Sequence, residues 1–457
     1  MNLTRILAEH VAGTAYDQLP RATVHATKRA LLDSMGVMLA ASGLAEEARP
    51  YRRLALAQRG RGRARLIGGA ASVPVEAAAL ANGALAHALD YGDTFDAGPA
   101  HPNAGLVPAL LALAESEGIG GKTFITAMAA GCDLCCRLSL AAVQPLDRRG
   151  WYPPPLFGLI GATAGCARLL GLSAEETLHA IGLALCQASF PGEIKHDATS
   201  PIRAVREGFV ARAAVTAVDL AKNGARSFQA PLEGKSGFFA AYAGAPPDPS
   251  PLLDGLGTTF LGERVSFKPW PSCRGTHAYI QAALELRKRP GFDHERISRI
   301  EVMVGPVQQM LVTPAATKAA PVTSIDAKFS IPFTLAAALV HGSVGLDSFC
   351  AEARNDPVLL ACARKVVAID HPDWDHRHAA SGSVRIVADD GAEHQLNVAH
   401  AAGHPEEPIG DEALTAKFVD CAARAERPVT GRQAQVMASR IMEAETLAEM
   451  GALLDPA

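Results

Sequence analysis

The chain has 457 residues, a length that fits two or three domains. Hydrophobic residues make up 49% of it, aromatic ones only 5%, and there are 41 glycines, a composition suited to closely packed helices. A net charge of −4 with no block of like charge argues against a nucleic-acid binder, and the lack of a run of about 18 uninterrupted apolar residues argues against a membrane span.

The first twenty residues, MNLTRILAEHVAGTAYDQLP, read as a short amphipathic helix. Arg5, Glu9 and His10 interrupt any signal-peptide core, so a cytoplasmic location is expected. The nine cysteines are odd in number and scattered, several in apolar helical contexts such as Cys166 and Cys186, as reduced core thiols are. From about Thr23 to Val265 the pattern is mainly helical, with apolar residues at i, i+3, i+4 in TVHATKRALLDSMGVMLAASG, VPALLALAESEG and FITAMAAGCDLCCRLSLAAV. In GLIGATAGCARLLG, Gly158, Gly161 and Gly165 share a helical face where a second helix could approach closely. The likeness to a dinucleotide fingerprint is superficial, because no strand precedes it.

After Val265 the character changes. ISRIEVMVG alternates as a half-buried strand does, and SVRIVADDGAEHQLNV reads as a hairpin turning at Asp390-Gly391. Helical pieces lie between them: THAYIQAALELRKR, IPFTLAAALVHG and DPVLLACARKVV. After His404-Pro405 the chain is helical again. The expected architecture is mostly α: a discontinuous helical domain, 1–265 and 404–457, with a smaller α/β lid, 266–403.

Chemistry-bearing residues concentrate in NGALAHALDYGDTFDAGPAHPN, Asn82 to Asn103. Titratable groups set in an apolar frame are where burial and neighbouring charge tune proton transfer, although a polar helix end followed by a loop would look similar. Asp90 and Thr94, four apart, can share a helical face. His101 precedes Pro102 at a helix start, where free N–H groups suit an anion. His87 reads as a helix-packing residue. A second basic cluster holds Lys195, His196, Arg203 and Arg206, and a third holds Lys268, Arg274 and His277 beside Cys273. Separated cations of this kind can clamp a polycarboxylate, arginine through bidentate pairing. Cys273 could act as nucleophile or acid/base thiol, and Tyr152, in the stiff loop GWYPPPLFG, as a phenol donor. His376 and His378 have a spacing that some zinc sites use, and Cys132 and Cys135 a CxxC spacing. The first pair sits among charges that are easily solvated and the second lacks a partner pair, so no metal is expected.

Together, ANGALAHALDYGDT, HPNAGLVPALLALAE, GLIGATAGCARLLGLSAEETLHAIGLA, REGFVARAAVTAVDLAKNG, KPWPSCRGTHAYIQAAL, DAKFSIPFTLAAAL and LTAKFVDCA resemble, in this order, the MmgE/PrpD family of 2-methylcitrate dehydratase, cis-aconitate decarboxylase and iminodisuccinate epimerase. The resemblance implies a homodimer, an active site between the two domains, no cofactor, and small di- or tricarboxylate substrates. It also implies removal of a proton next to a carboxylate, followed by loss of water or CO₂ or by return of the proton to the other face.

By the same resemblance the family's pocket aspartate, threonine, histidine and lid lysine match Asp90, Thr94, His101 and Lys268, with one extra residue between Thr94 and His101. Four positions depart: Tyr152 and Cys273 where the family has histidines, Arg203 for a lysine and Phe333 for a tyrosine. The KxWPSC form is closer to the epimerase-like branch. The expected catalytic residues are therefore His101, Asp90, Tyr152 and Cys273, and the substrate-binding ones Thr94, Arg203, Lys268 and Arg274. A lyase of dehydratase or decarboxylase type is favoured. An epimerase and a catalytically degenerate carboxylate-binding protein stay open as alternatives.

Overall fold

The computed structural model describes residues 2–58, 62–197, 199–375 and 378–455. Two hydrophobic clusters organise it. The larger is built on helices between Leu3 and Lys222 and is completed by residues 414–453. The smaller runs from Ala278 to Ala401. The chain thus leaves the large cluster after Phe267 and returns to it, with helices Asp411–Ala423 and Gly431–Met442 packed on the long helix Arg21–Leu44.

Helices Pro102–Glu117, Gly121–Ala141, Pro153–Leu169 and Glu207–Lys222 form the centre of the large cluster. Glycine is required where the second and third cross: a Cβ on Gly161 would meet the Cys135 Cβ at 2.6 Å and the Gly131 carbonyl oxygen at 2.7 Å. Gly158 departs from the expected shared role, since a Cβ there would find only Glu207 and Val210, at 3.9 and 4.0 Å. Gly121–Ala141 is long and apolar enough to cross a bilayer, but it is enclosed by protein and carries a buried Asp133–Arg137 pair at 2.7 Å.

In the smaller unit, strand Ile297–Val304 lies between Val366–Asp370, parallel to it, and Gly382–Ala388, antiparallel. Glu393–Val398 closes the other edge. The hairpin turns at Gly391, with φ +84°. Sequence periodicity runs DPVLLACARKVV together as one helix. The helix instead ends at Ala363, and Val366, Val367 and Ile369, whose branched side chains suit a pleated surface, continue as a strand. The tail beyond Met442 breaks into short 3₁₀ turns, Ala444–Thr446 and Met450–Leu454. His376 lies outside the described residues. His378 bonds Asp375 at 3.1 Å and stacks on Trp374, and no cluster of three metal-ligating side chains occurs among the described residues.

The units are joined beside the polar stretch. Thr94 and Ser266 exchange both backbone hydrogen bonds, at 3.0 and 2.7 Å, which brings Lys268 against the turn that follows helix Val75–Ala88.

Candidate active site

Two residues past that helix, Asp90 takes φ +49°, the only positive φ on a non-glycine among the described residues. This conformation costs an ordinary residue ~1 kcal/mol or more and persists only where its surroundings fix it. Lys268 does so: its Nζ donates to the Asp90 carbonyl at 2.9 Å and to Oδ1 at 2.8 Å. The His87 Nε2 lies 3.2 Å from the same Oδ1. All three side chains are buried. Burial alone would raise the Asp90 carboxyl, but Lys268 and the His87 hydrogen bond carry it well below the usual carboxylate range. Its Oδ2 has no hydrogen-bond partner.

His101 stands at the N-terminus of Pro102–Glu117 and keeps some exposed surface. Its Nδ1 is 3.0 Å from the Asp93 carbonyl oxygen. A carbonyl only accepts, so Nδ1 carries the proton and Nε2 is the bare, basic nitrogen. Burial first, then the neighbouring His87, Lys268 and Arg206, holds His101 well below its ordinary value, so it is neutral at pH 7. The His87 ring is 4.6 Å from it, centroid to centroid, and burial and Arg206 lower His87 to about 3. Beneath them burial and Asp33 raise Asp93 to about 7, against the hydrogen bond from Asn103 Nδ2 at 2.7 Å.

A lysine from the distant tail closes this wall from behind. Lys417 Nζ donates to Asp33 Oδ1 at 2.6 Å, to the Tyr91 carbonyl at 2.7 Å and to the Lys268 carbonyl at 2.9 Å, and it lies 3.8 Å over the Tyr91 ring. One ammonium thereby fixes the backbone on both sides of the Asp90–Lys268 pair.

The facing wall is built differently. Tyr152 caps helix Pro153–Leu169, with its ring 4.9 Å from the Arg206 guanidinium and 5.7 Å from that of Arg203. Arg203 also stacks 3.6 Å over Phe329. Arg203 and Phe329 line a cavity of about 280 Å³ between residues 194–203 and 310–329, which reaches neither Asp90 nor His101. The Cys273 backbone N–H donates to the Lys328 carbonyl at 2.9 Å. Burial and Asp90 raise the Cys273 thiol, while burial lowers the Lys328 ammonium to about 8.

Asp90, His101 and Lys268 therefore converge as one constellation, with Thr94 beside it through the Ser266 bridge. The Thr94 hydroxyl only reaches the Ala100 carbonyl, at 3.5 Å. Tyr152, Arg203 and Cys273 stand across from them. Three placements depart from expectation. His87, read as packing, touches both Asp90 and His101. Arg274, expected to bind substrate, commits Nε to Asp96 at 3.0 Å, Nη1 to the Ala402 carbonyl and His277, and Nη2 to the Ala401 carbonyl, so it bolts the lid loop. Phe333 is fully buried against Phe349, inside the lid core. Sequence reading missed Asp93, Lys328 and Lys417, and it named Arg206 only as part of a basic cluster.

Comparison with known proteins bears on this arrangement. Residues 5–250 match the MmgE/PrpD N-terminal domain and residues 270–442 the MmgE/PrpD C-terminal domain. The chain is 26% identical over 441 residues to cis-aconitate decarboxylase of Mus musculus, covering 91% of this chain and 86% of the relative. It is 27% identical over 358 residues to the Homo sapiens cis-aconitate decarboxylase (76% and 72%) and 25% identical over 380 residues to that of Aspergillus terreus (78% and 76%). With the two family domains matched in order over most of its length, the chain belongs to the MmgE/PrpD family.

Proposed function

We propose that this protein is a lyase, of decarboxylase or dehydratase type, that acts on a small di- or tricarboxylate by proton transfer at a carbon next to a carboxylate. The observation that carries this reading is the bare Nε2 of a neutral His101, its tautomer fixed by the Asp93 carbonyl, with Lys268 and Arg206 as cationic neighbours beside the Asp90 carboxylate. Cis-aconitate decarboxylase relatives support the lyase class.

In dehydration, His101 Nε2 takes the proton. The C–H electron pair is held as enolate-like charge near Lys268 and the guanidiniums, then becomes the C=C bond as the C–O bond breaks, and the proton on Nε2 passes to the departing β-hydroxyl, which leaves as water. In decarboxylation the sense reverses: the departing CO₂ leaves its electron pair on the carbon skeleton, and a proton is delivered there from a group that carries one, the Cys273 thiol or a water molecule, since Nε2 of the neutral His101 has none to give. Asp90 holds Lys268 and His87 in place, and Arg203 balances a carboxylate at the mouth of the site.

The test is turnover of cis-aconitate, citrate and 2-methylcitrate by the wild-type chain and by His101→Gln. The expected outcome is release of CO₂ or water by the wild type and a loss of about 10²–10⁴-fold in the variant with its fold intact. Unchanged turnover in a folded His101→Gln would overturn the assignment.

One observation favours a second reading, epimerisation. Cys273 feels the charges of Asp90, Lys268 and Arg203, and so supplies a second proton-bearing group at the site. Exchange of substrate C–H for solvent deuterium without loss of water or CO₂ would select it. The family resemblance leads us to propose a homodimer and a cytoplasmic location as well.

A further inference from the structure

Among the charged groups that the protein leaves without a full set of partners, Arg206 lacks the most: both Nε and Nη2 go unbonded. Arg206 precedes helix Glu207–Lys222 and is wholly buried. Its Nη1 donates to the Arg203 carbonyl. Its Nε lies 3.1 Å from Glu207 Oε1 but outside hydrogen-bond geometry, and Nη2 has no partner. Burial pushes the Glu207 carboxyl up toward the neutral acid, against the pull of Arg206, so the counter-charge is weak. The guanidinium lies 4.9 Å from the Tyr152 ring, and its charge depresses both His87 and His101. A buried donor with no acceptor is costly, and natural structures keep one where a ligand supplies the acceptor. Arg203 also has an unbonded Nε, but it is partly exposed, its face is taken by Phe329, and it lines the outer cavity.

We propose that Arg206 anchors one carboxylate of the substrate through its unpartnered Nη2, at the inner end of the site, while Arg203 receives another at the mouth. This rests on the polycarboxylate reading above and deepens it: two guanidiniums at different depths select a di- or tricarboxylate over a monocarboxylate. Arg206 is then the specificity-determining residue, and its fork sets which carbon of the substrate faces His101 Nε2.

The experiment uses tricarballylate, a saturated tricarboxylate with no hydroxyl to eliminate, as the probe, with butyrate as the single-carboxylate control. Binding is measured by calorimetry to the wild type, Arg206→Gln, Arg206→Lys and the double variant Arg206→Gln/Glu207→Gln. The double variant removes the Glu207 carboxyl along with the guanidinium beside it, so neither buried group is left facing a missing partner. The expected result is tricarballylate affinity lowered about 30-fold or more in the charge-removing variants. Partial recovery is expected in Arg206→Lys, which keeps the charge without the fork. Selectivity over butyrate should collapse in parallel, and the acid limb of the turnover profile should move to higher pH as His101 loses a repelling neighbour.

A folded double variant that binds tricarballylate as the wild type does overturns the anchor and leaves the polycarboxylate reading standing. A wild type that binds neither tricarballylate, citrate nor succinate overturns that reading and the anchor with it. If neither charge-removing variant folds, unchanged affinity in Arg206→Lys overturns the anchor.

Discussion

On the side of Asp90, Lys268 and His101 the charged groups are tied to one another and to the backbone, although Asp90 Oδ2 and Asp33 Oδ2 have no hydrogen-bond partner. The aspartate is gripped by two residues, the histidine's tautomer is set by a carbonyl, and a third lysine ties the backbone behind them. On the side of Tyr152, Arg203 and Arg206 the cations rest on aromatic faces and keep open N–H groups, and Arg203 borders a cavity. The closed wall has the properties of a device that fixes protonation states. The open wall has those of a surface awaiting an anionic partner. The same contrast separates Asp90, His101 and Lys268, matched to the family by resemblance, from Tyr152 and Arg203, which depart from it.

The sharpest way to break this contrast is to open the closed wall. Lys268→Met strands the Asp90 carboxylate in the interior and should cost about 3–5 kcal/mol of stability. Adding Asp90→Asn should return most of that stability, while turnover stays down by about 10³-fold. Urea denaturation and activity measured on the same samples separate the two effects. Lys417→Met removes the support from behind and leaves Asp33 unpaired, at a cost of about 3 kcal/mol. Asp33→Asn in that background should recover stability without recovering kcat, because the Tyr91 and Lys268 carbonyls remain unheld. Full recovery of kcat would make Lys417 a purely structural residue.

A pH series sharpens the comparison further. His87, His101 and His277 are held below 6.5 in the folded state, so their contribution is present above pH 6.5 and is lost as pH falls, by ~1.4 kcal/mol per unit for each. Asp93, raised from 3.8 to about 7, acts in the opposite sense. Its stabilisation is full below 3.8 and is lost as pH rises toward 7, which offsets one histidine. Between about pH 5 and 6.5, His277→Asn should reduce the slope of stability against pH by about one proton. The smallest effect is expected on the open wall. Arg203→Lys should shift KM for a tricarboxylate by about tenfold or less, with stability changed by under about 0.5 kcal/mol. A larger stability loss would mean that this wall, too, is part of the framework.

Much of this was legible in the sequence, for reasons that particular residues make plain. Asp90, Thr94 and His101 lie within one turn-and-loop segment, so their neighbourhood follows from short-range geometry, and Lys268 carries its own motif. The alternation in ISRIEVMVG and the Asp390-Gly391 turn are local signals, and both are found as read. What was hidden depends on contacts far apart in the chain. Lys417 meets Tyr91 across 326 residues and looks, in LTAKFVDCA, like any lysine on a helix. Arg206 and Arg203 differ in depth, which no spacing reports. Arg274 looks free until Asp96 and the carbonyls of Ala401 and Ala402 are placed around it. His87 seemed to lack a counterpart because its partner Asp90 leaves the helical path with φ +49°, a turn that helical periodicity does not foresee.

The position of Lys417 gives the site a history in time. During synthesis Asp33, Tyr91 and Lys268 emerge 384, 326 and 149 residues before the ammonium that joins them. At roughly 5–20 residues per second the Lys268 carbonyl waits about 7–30 s for its partner. A growing chain can pack its helical core and carry its histidine, aspartate and lysine well before their shared backbone is pinned. The pinning of this wall's backbone is therefore among the last contacts the nascent protein makes, and it arrives when the tail docks.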